Sequence, residues 1–412
     1  MNRVTRQARL VLATAILTIS FSTHSHATNG TPSWTFSTVS TIDPGYVASS
    51  PDLAFDHYGS ASLSWAAVST AAGNNSVRHS QFSPLGLWNH RELANGPGLG
   101  LRTSISFDRS ERPSIAWVND NGSVSGQFNY GINQTITASG ANNARPIVSL
   151  CTDLAGTLRG MYSGAAPGAV SSIGYAGSTF NTSSLMNLSG VTAVLDSQMI
   201  VDNRGLRHVA SRAALSVGGQ GVVLASESPG GFWSSGTFTT ADSIDGIDIA
   251  VDPSDGRLAI AYTTYTAGTS RLQYSKFNGA SVATTTIQTS GVDRYEDMSL
   301  AFDGFDSRPA IAYERRTPST QELWYTFLNA SSSWQSAPVD TTIVMDAPSG
   351  LPRAPSLAFD DYGTTWPAIA YANQDVPNEV LTVAFDPPAP EPAFAGLFGM
   401  ALAARRPRRK SA

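Results

Sequence analysis

Ser299-Leu300-Ala301-Phe302-Asp303, followed after five residues by Pro309-Ala310-Ile311-Ala312-Tyr313, is the stretch on which the fold turns. In both elements large side chains stand two apart with alanine between them, the period of a β-strand with one bulky face and one small face. The pair returns as Ser356-Leu357-Ala358-Phe359-Asp360 and Pro367-Ala368-Ile369-Ala370-Tyr371. Weaker copies extend the series, because the aspartate closing the first element recurs at Asp56, Asp108, Asp153, Asp202, Asp252, Asp303 and Asp360. The successive intervals are 52, 45, 49, 50, 51 and 57 residues, a mean of about 51.

Each copy holds more than two elements. After Tyr313 come an apolar run, Leu323 to Leu328, a turn of small residues, and a further run from Trp334 toward Val339, which makes four short strands. The bulky face of one such sheet can rest on the alanine face of the next. Four-stranded units of this length, none able to bury its own faces, pack around an axis as a β-propeller. Immunoglobulin-like sandwiches need about 100 residues per unit, twice this period, and the coils of a β-helix are much shorter. The sequence therefore predicts an all-β chain, a seven-bladed β-propeller of four-stranded antiparallel blades. Trp34-Thr35-Phe36-Ser37-Thr38-Val39 matches a fourth element but precedes any first one, and the last copy stops after its third, Val380 to Phe385. Residues 33–40 are thus expected to pair with the final blade and close the ring, which removes an exposed sheet edge.

Composition agrees. Of 412 residues 41% are hydrophobic and 36 are glycine, which excludes disorder over most of the length, and only 14% are charged, which favours strands over helices. The net charge of −5 conceals an asymmetry: Arg3, Arg6 and Arg9 open the chain, and Arg405, Arg406, Arg408, Arg409 and Lys410 end it. Without those eight, 18 of the 26 basic groups remain against 31 acidic ones, a net of −13 that repels phosphate backbones and argues against nucleic acid as a partner. Lys276 and Lys410 are the only lysines, which leaves little scope for Schiff-base or phosphate chemistry. Cys151 is the only cysteine, so no intrachain disulfide and no cysteine zinc site can form; its neighbours Ile147, Val148, Leu150 and Leu154 make it a buried strand residue.

The ends read as addresses. Residues 1–27 combine a basic start, an apolar run from Leu10 to Phe21, too short for the roughly 20 residues of a bilayer span, and the small residues Ser25 and Ala27, as in a secretory signal cleaved after Ala27. Residues 387–412 run from Pro387-Pro388-Ala389-Pro390-Glu391-Pro392 through the apolar Ala393 to Ala404 into Arg405-Arg406-Pro407-Arg408-Arg409-Lys410. This order resembles the PEP-CTERM sorting tail of bacterial exported proteins. The resemblance implies a tail held in the inner membrane with its basic end in the cytoplasm, where the positive-inside rule places it, and processed by an exosortase. The apolar run, about twelve residues with two glycines, is shorter than a comfortable span.

Two turns, Ser83-Pro84-Leu85-Gly86-Leu87-Trp88 and Ser228-Pro229-Gly230-Gly231-Phe232-Trp233, are similar to degenerate Asp-box turns of the sialidase-like, BNR-repeat propellers. That resemblance covers residues 33–386. It implies a fold that hosts enzymes and binding modules alike, with ligands on the face built from second-to-third-strand loops and blade-to-blade crossings, here termed the crossing face. The densest polar cluster there is Arg294-Tyr295-Glu296-Asp297; with Arg315 and Arg353 it forms the candidate ligand-binding set. A sialidase would also bring three carboxylate-binding arginines and an Arg-Ile-Pro signature; the signature is absent and Arg102 and Arg145 are placed differently, so no catalytic residue is assigned.

Other chemistries are less supported. The seven closing aspartates read as turn residues whose carboxylates accept backbone N–H groups. A calcium loop starting at Asp252 would need glutamate in twelfth place, where Thr263 stands, so no metal or cofactor is expected. The series Trp65, Trp117, Tyr162, Tyr262, Tyr313 and Tyr371, with Ser211 in the remaining copy, reads as core between blades. His57, His79, His90 and His208 lack metal-ligand spacing, and His208 reads as a packed strand residue. The expected protein has three parts: a signal at 1–27, a propeller at 28–386 and a sorting tail at 387–412. Its expected role is a non-catalytic module at the cell envelope or surface that binds extracellular polysaccharide or a surface protein. Its other expected partners are signal peptidase, exosortase and, through the tail, the membrane. The competing expectation is a carbohydrate-active hydrolase or lyase working through Glu296 and Asp297.

Overall fold

The computed structural model describes residues 32–386, apart from 49–50, 72, 84, 109, 129–132, 138–146, 154, 164–168, 177–178, 279–280, 342–353, 361–365 and 374–378. The signal and the sorting tail expected from the sequence lie outside the described residues, as does Arg353. Every regular element among the described residues is a strand, and the strands form seven antiparallel sheets. Six sheets are four-stranded; that of blade 1 counts five, because Tyr46–Ala48 and Asp52–Phe55 both pair with the same edge of Ala61–Ser69. Together these two short pieces occupy the place of one inner strand, so the blade keeps its four-layer order.

Blade 7 is assembled from both ends of the described residues. Thr35–Thr41 pairs with Val380–Phe385, from Thr35 opposite Phe385 to Thr41 opposite Val380, with one irregularity between Thr38 and Ser40. This is the closure the sequence predicted.

Seven apolar clusters hold the ring, one at each blade interface. Their composition follows the alternation. Ile311 and Tyr313 of blade 6 meet Ala259 and Ala261 of blade 5, whereas Ala310 and Ala312, on the other face of the same strand, meet Ile369 and Tyr371 of blade 7. At the closure seam Ala368, Ala370 and Ala372 meet Leu63 and Trp65 of blade 1. Burying such side chains is worth roughly 1.5–3 kcal/mol each. Trp65, Trp117, Tyr262, Tyr313 and Tyr371 are all fully buried, and the half-buried Tyr162 packs against the apolar cluster between blades 2 and 3, so the aromatic series is core. Two of its polar ends have clear partners: Trp65 Nε1 donates to Ser80 Oγ at 2.9 Å and the Tyr371 hydroxyl to Asp340 Oδ2 at 2.8 Å.

The closing aspartates act as turn residues. Oδ1 of Asp108 accepts the N–H groups of Ser110 and Arg112 at 2.8 and 3.0 Å. Asp56, Asp153 and Asp202 repeat the pattern, each accepting from the residues two and four positions on. These bonds satisfy backbone donors that a tight turn would otherwise leave unpaired.

Candidate functional site: the axial cavity and its mouth

The inner strands of the blades, Asp52–Phe55, Arg102–Phe107, Val148–Thr152, Val191–Val201, Ile247–Val251, Arg294–Phe302 and Ser356–Phe359, surround the axis. An inner strand has no sheet neighbour on its axial side, so its backbone donors there need other partners. The residue that opens each repeat, four before the closing aspartate, supplies them: Asp52, Ser104, Ser149, Gln198, Asp248, Ser299 and Ser356. Ile105 N–H donates to Asp52, Leu150 N–H to Ser104 and Met199 N–H to Ser149, at 2.8 to 3.1 Å. Leu300 N–H donates to Asp248, Leu357 N–H to Ser299 and Leu53 N–H to Ser356, at 2.7 to 3.1 Å. Each bond crosses to the next blade, and together they stitch the inner strands. The exception is at Gln198, where Ile249 N–H turns to its own neighbour Asp248 at 2.8 Å.

A cavity of about 220 Å³ lies within this ring. Burial pushes the Asp52 carboxyl above its ordinary value despite donors from Ile105, Ser104 and Ser356. Asp248 is pushed up to about 7, by burial first and also by the neighbouring charge of Asp52, against the opposing hydrogen bonds. Cys151 lines the same cavity and is buried, which raises its thiol to about 12 and leaves it unreactive at neutral pH.

One level nearer the crossing face, two residues before the ring position, stand Arg102, Asp196 and Asp297. The Arg102 guanidinium reaches from blade 2 to blade 4 and grips Asp196 with both terminal nitrogens, at 2.7 and 3.3 Å. Their side chains are only 12% and 11% exposed. Burial alone would raise Asp196, but the charge and hydrogen bonds of Arg102 outweigh it and hold the carboxyl below the usual range. Asp297 adds a second negative charge beside Arg102.

Asp297 is also strained, with φ at +25°, at a bulge where the pairing with Pro309–Arg316 slips between Glu296 and Met298. Its backbone lies so close to Gly246 that a Cβ there would meet Asp297 N at 3.1 Å, which accounts for the glycine. The bulge divides the predicted cluster. Asp297 joins the axial cavity. Arg294 pairs with Asp245 and lies over the Tyr265 ring, 4.1 Å from its centroid. Arg315 pairs with Asp293 at 2.8 Å and covers Trp324 at 4.9 Å, on the far side of the blade 6 sheet. Tyr295 is only 3% exposed and sits edge-on to Tyr313, a core position.

A residue outside the predicted set is chemically the most distinctive. Glu314 stands directly opposite Glu296 in the sheet, with Arg294 opposite Arg316 two residues along. It is 3% exposed, and its Oε1 accepts no hydrogen bond, the nearest cation being Arg316 at 3.6 Å. Burial first, then the charges of Asp297 and Glu296, push Glu314 up to about 8, so it holds its proton at neutral pH. Glu296, 3.3 Å from Arg316, is raised as well, chiefly by burial.

The sign of the linkage follows. A carboxyl whose folded value is raised contributes fully below its unfolded value, here 4.5, and that contribution is lost as pH rises toward about 8. Between pH 5 and 8.5 the melting temperature is therefore expected to fall. Glu314→Gln, which keeps the shape without the ionisation, is expected to flatten that decline by several degrees; an unchanged slope in thermal melts would contradict the assignment.

His208 packs as expected: it is buried, with Nδ1 2.9 Å from Ser226 Oγ and Nε2 3.3 Å from Asp202. Among the described residues no group of three or more His, Cys, Asp or Glu side chains is arranged to hold a metal ion, and no helix is long and apolar enough to cross a membrane.

No family model matches the chain, and no curated protein matches it. Solved structures do. A protein of unknown function from Dyadobacter fermentans DSM 18053 is 9% identical and superposes with a TM-score of 0.53 over 85% of this chain and 98% of its own. An oligogalacturonate lyase in complex with manganese is 9% identical, with a TM-score of 0.52 over 87% of this chain and 98% of its own. The fucose-specific lectin from Aleuria aurantia is 13% identical, with a TM-score of 0.43 over 71% of this chain and 97% of its own. The first two likenesses establish a common fold and nothing further.

Proposed function

We propose that this chain is an exported propeller that binds extracellular polysaccharide or a surface protein through its crossing face, without chemical turnover. One observation carries the reading. The arginines of blade 6 are neutralised locally by carboxylates, Arg294 by Asp245, Arg315 by Asp293 and Arg316 by Glu296, and two of the guanidinium planes lie on aromatic rings. Such a surface offers fixed hydrogen-bonding edges and flat faces in place of an unbalanced field. It suits an uncharged, hydroxyl-rich chain better than a polyanion. Export rests on residues 1–27, cut by signal peptidase, and retention on residues 387–412, held in the membrane and then processed by an exosortase.

The enzyme reading has a specific observation of its own. Glu314 keeps its proton and the facing Glu296 lies beside Arg316, and a protonated carboxyl opposite a second carboxyl is a pairing that general acid–base chemistry can use. The depth of Glu314 weighs against it, since a substrate oxygen must come within about 3 Å of the acid. Residues 28–386, incubated with matrix polysaccharide from the producing cell and with a glycan panel, are expected to bind saturably and release no new reducing ends or unsaturated products. Turnover abolished by Glu296→Gln would establish the enzyme instead.

A further inference from the structure

A second cavity, of about 280 Å³, lies on blade 1 beside the seam where the ring closes. Its floor is Ile42 and Ala67, both buried in the seam cluster, with Ser76 alongside. Tyr46 and Arg78 are half-buried walls, and Asp43, Asn74 and Asn95 form an exposed rim. The strand period explains the arrangement: Asn74, Ser76 and Arg78 alternate along one face, and Ser76 stands between Ala67 on one neighbouring strand and Asn95 on the other.

The hollow exists because of one small residue. Ala67 lies two places after the blade aromatic Trp65, and the matching position in blade 6, two after Tyr313, is Arg315, whose guanidinium covers Trp324. In blade 1 the alanine leaves that space open, and the lining is already held in place. Arg78 lies 5.0 Å from the Trp65 centroid and donates through Nε to Ser76 Oγ at 3.0 Å, while Ser76 donates to Glu92 at 2.8 Å. The remaining guanidinium N–H groups, two side-chain amides, a phenol and a carboxylate then surround an apolar floor, donors and acceptors mixed, with one positive and one negative group.

We infer that this seam cavity is a binding site for a single uncharged sugar ring. The apolar floor matches the C–H face of a pyranose, the amides and guanidinium match its hydroxyls, and Arg78 set against Asp43 and the Glu92 that bonds Ser76 and Asn95 gives no net attraction for an acidic sugar. The volume, at the low end for ligand pockets, admits one ring. The inference takes its ligand class from the reading of the crossing face as saccharide-binding, and it is tested separately.

The full chain is titrated with free glucose, galactose, mannose and glucuronate by calorimetry and saturation-transfer NMR. Saturable binding of at least one neutral hexose is expected, with a dissociation constant on the order of 1 mM for a ligand of this size. In the exposed double variant Asn74→Ala, Asn95→Ala the binding is expected to weaken roughly tenfold with an unchanged melting temperature. Ala67→Arg, which supplies the side chain blade 6 carries, is expected to abolish it. Absence of saturable hexose binding, binding unaltered in the double variant, or binding of glucuronate alone would each overturn the inference. Hexose binding without polymer binding would sink the proposed function and leave this site standing; polymer binding without hexose binding would do the reverse.

Discussion

Deleting Thr35–Thr41 is expected to leave a chain that no longer melts cooperatively and elutes as aggregate, because the deletion opens the ring. The strand covers the whole of Val380–Phe385, and the attachment is more than a ladder. Val39 is buried in the seam cluster with Leu381 and Val383, Ser37 Oγ accepts from Trp88 Nε1 of blade 1 at 3.0 Å, and just before the strand Trp34 sits edge-on to Tyr325 of blade 6 at 5.2 Å. The strand itself thus ties blade 7 to blade 1, and its loss also frees the anchor of Trp34 on blade 6. Each large side chain lost from such a contact costs about 2–5 kcal/mol, and a whole domain is stable by only about 5–15 kcal/mol. The uncovered edge of Val380–Phe385 would then present free N–H and C=O groups to any other chain. Circular dichroism melts and size-exclusion chromatography check this. A truncated protein that stays monomeric with an unaltered melt would mean that the ring does not depend on its clasp.

The repeat was legible because packing wrote it locally. Leu300-Ala301-Phe302 and Ile311-Ala312-Tyr313 state in three residues which face is bulky, and the same alternation in seven copies dictates the order of the interfaces. Even the axial stitching was in view: Ser299 and Ser356 open the repeats from which the fold is read, and Asp52, Ser104, Ser149 and Asp248 hold the same place. What concealed its meaning is that their partners belong to the next blade, 46 to 58 residues away and, across the closure, 303 residues away, and no local pattern encodes that neighbour. The candidate site was less legible for two reasons. A bulge at Asp297, which no period announces, separated four consecutive residues into core, sheet surface and axial cavity. Glu314 is a lone carboxylate directly after the run Pro309 to Tyr313, where a loop is the simplest reading of the sequence, yet its position on the alanine face of Pro309–Arg316 buries it. The signal for it was available: Ala310, Ala312 and Glu314 share a parity, and a carboxyl continuing a buried small-residue face is not on the surface.

At the mouth of the axial cavity Arg102 and Asp196 join blades 2 and 4 across 94 residues of sequence, and the second large effect is expected there. Arg102→Met is expected to cost about 3–5 kcal/mol, because it leaves the buried Asp196 without the guanidinium that grips it and removes a positive charge beside Asp297. Arg102→Met combined with Asp196→Leu is expected to recover much of that loss, since removing both partners removes the uncompensated charge. The pH dependence separates this account from a simple packing defect. In the native protein Asp196 is depressed, so its contribution is present above the unfolded value of 3.8 and is lost as pH falls below it. Without Arg102 only the charge of Arg212 and the Ser197 N–H still oppose burial, the carboxyl is expected to be raised, and the sign reverses: stability is lost as pH rises. Urea melts at pH 5 and pH 8 should therefore show the single variant falling further behind the native protein at the higher pH, with the double variant following the native slope. A deficit equal at both pH values would show that Arg102 contributes bulk alone, and the charge that bridges blades 2 and 4 would no longer explain how the axis is held.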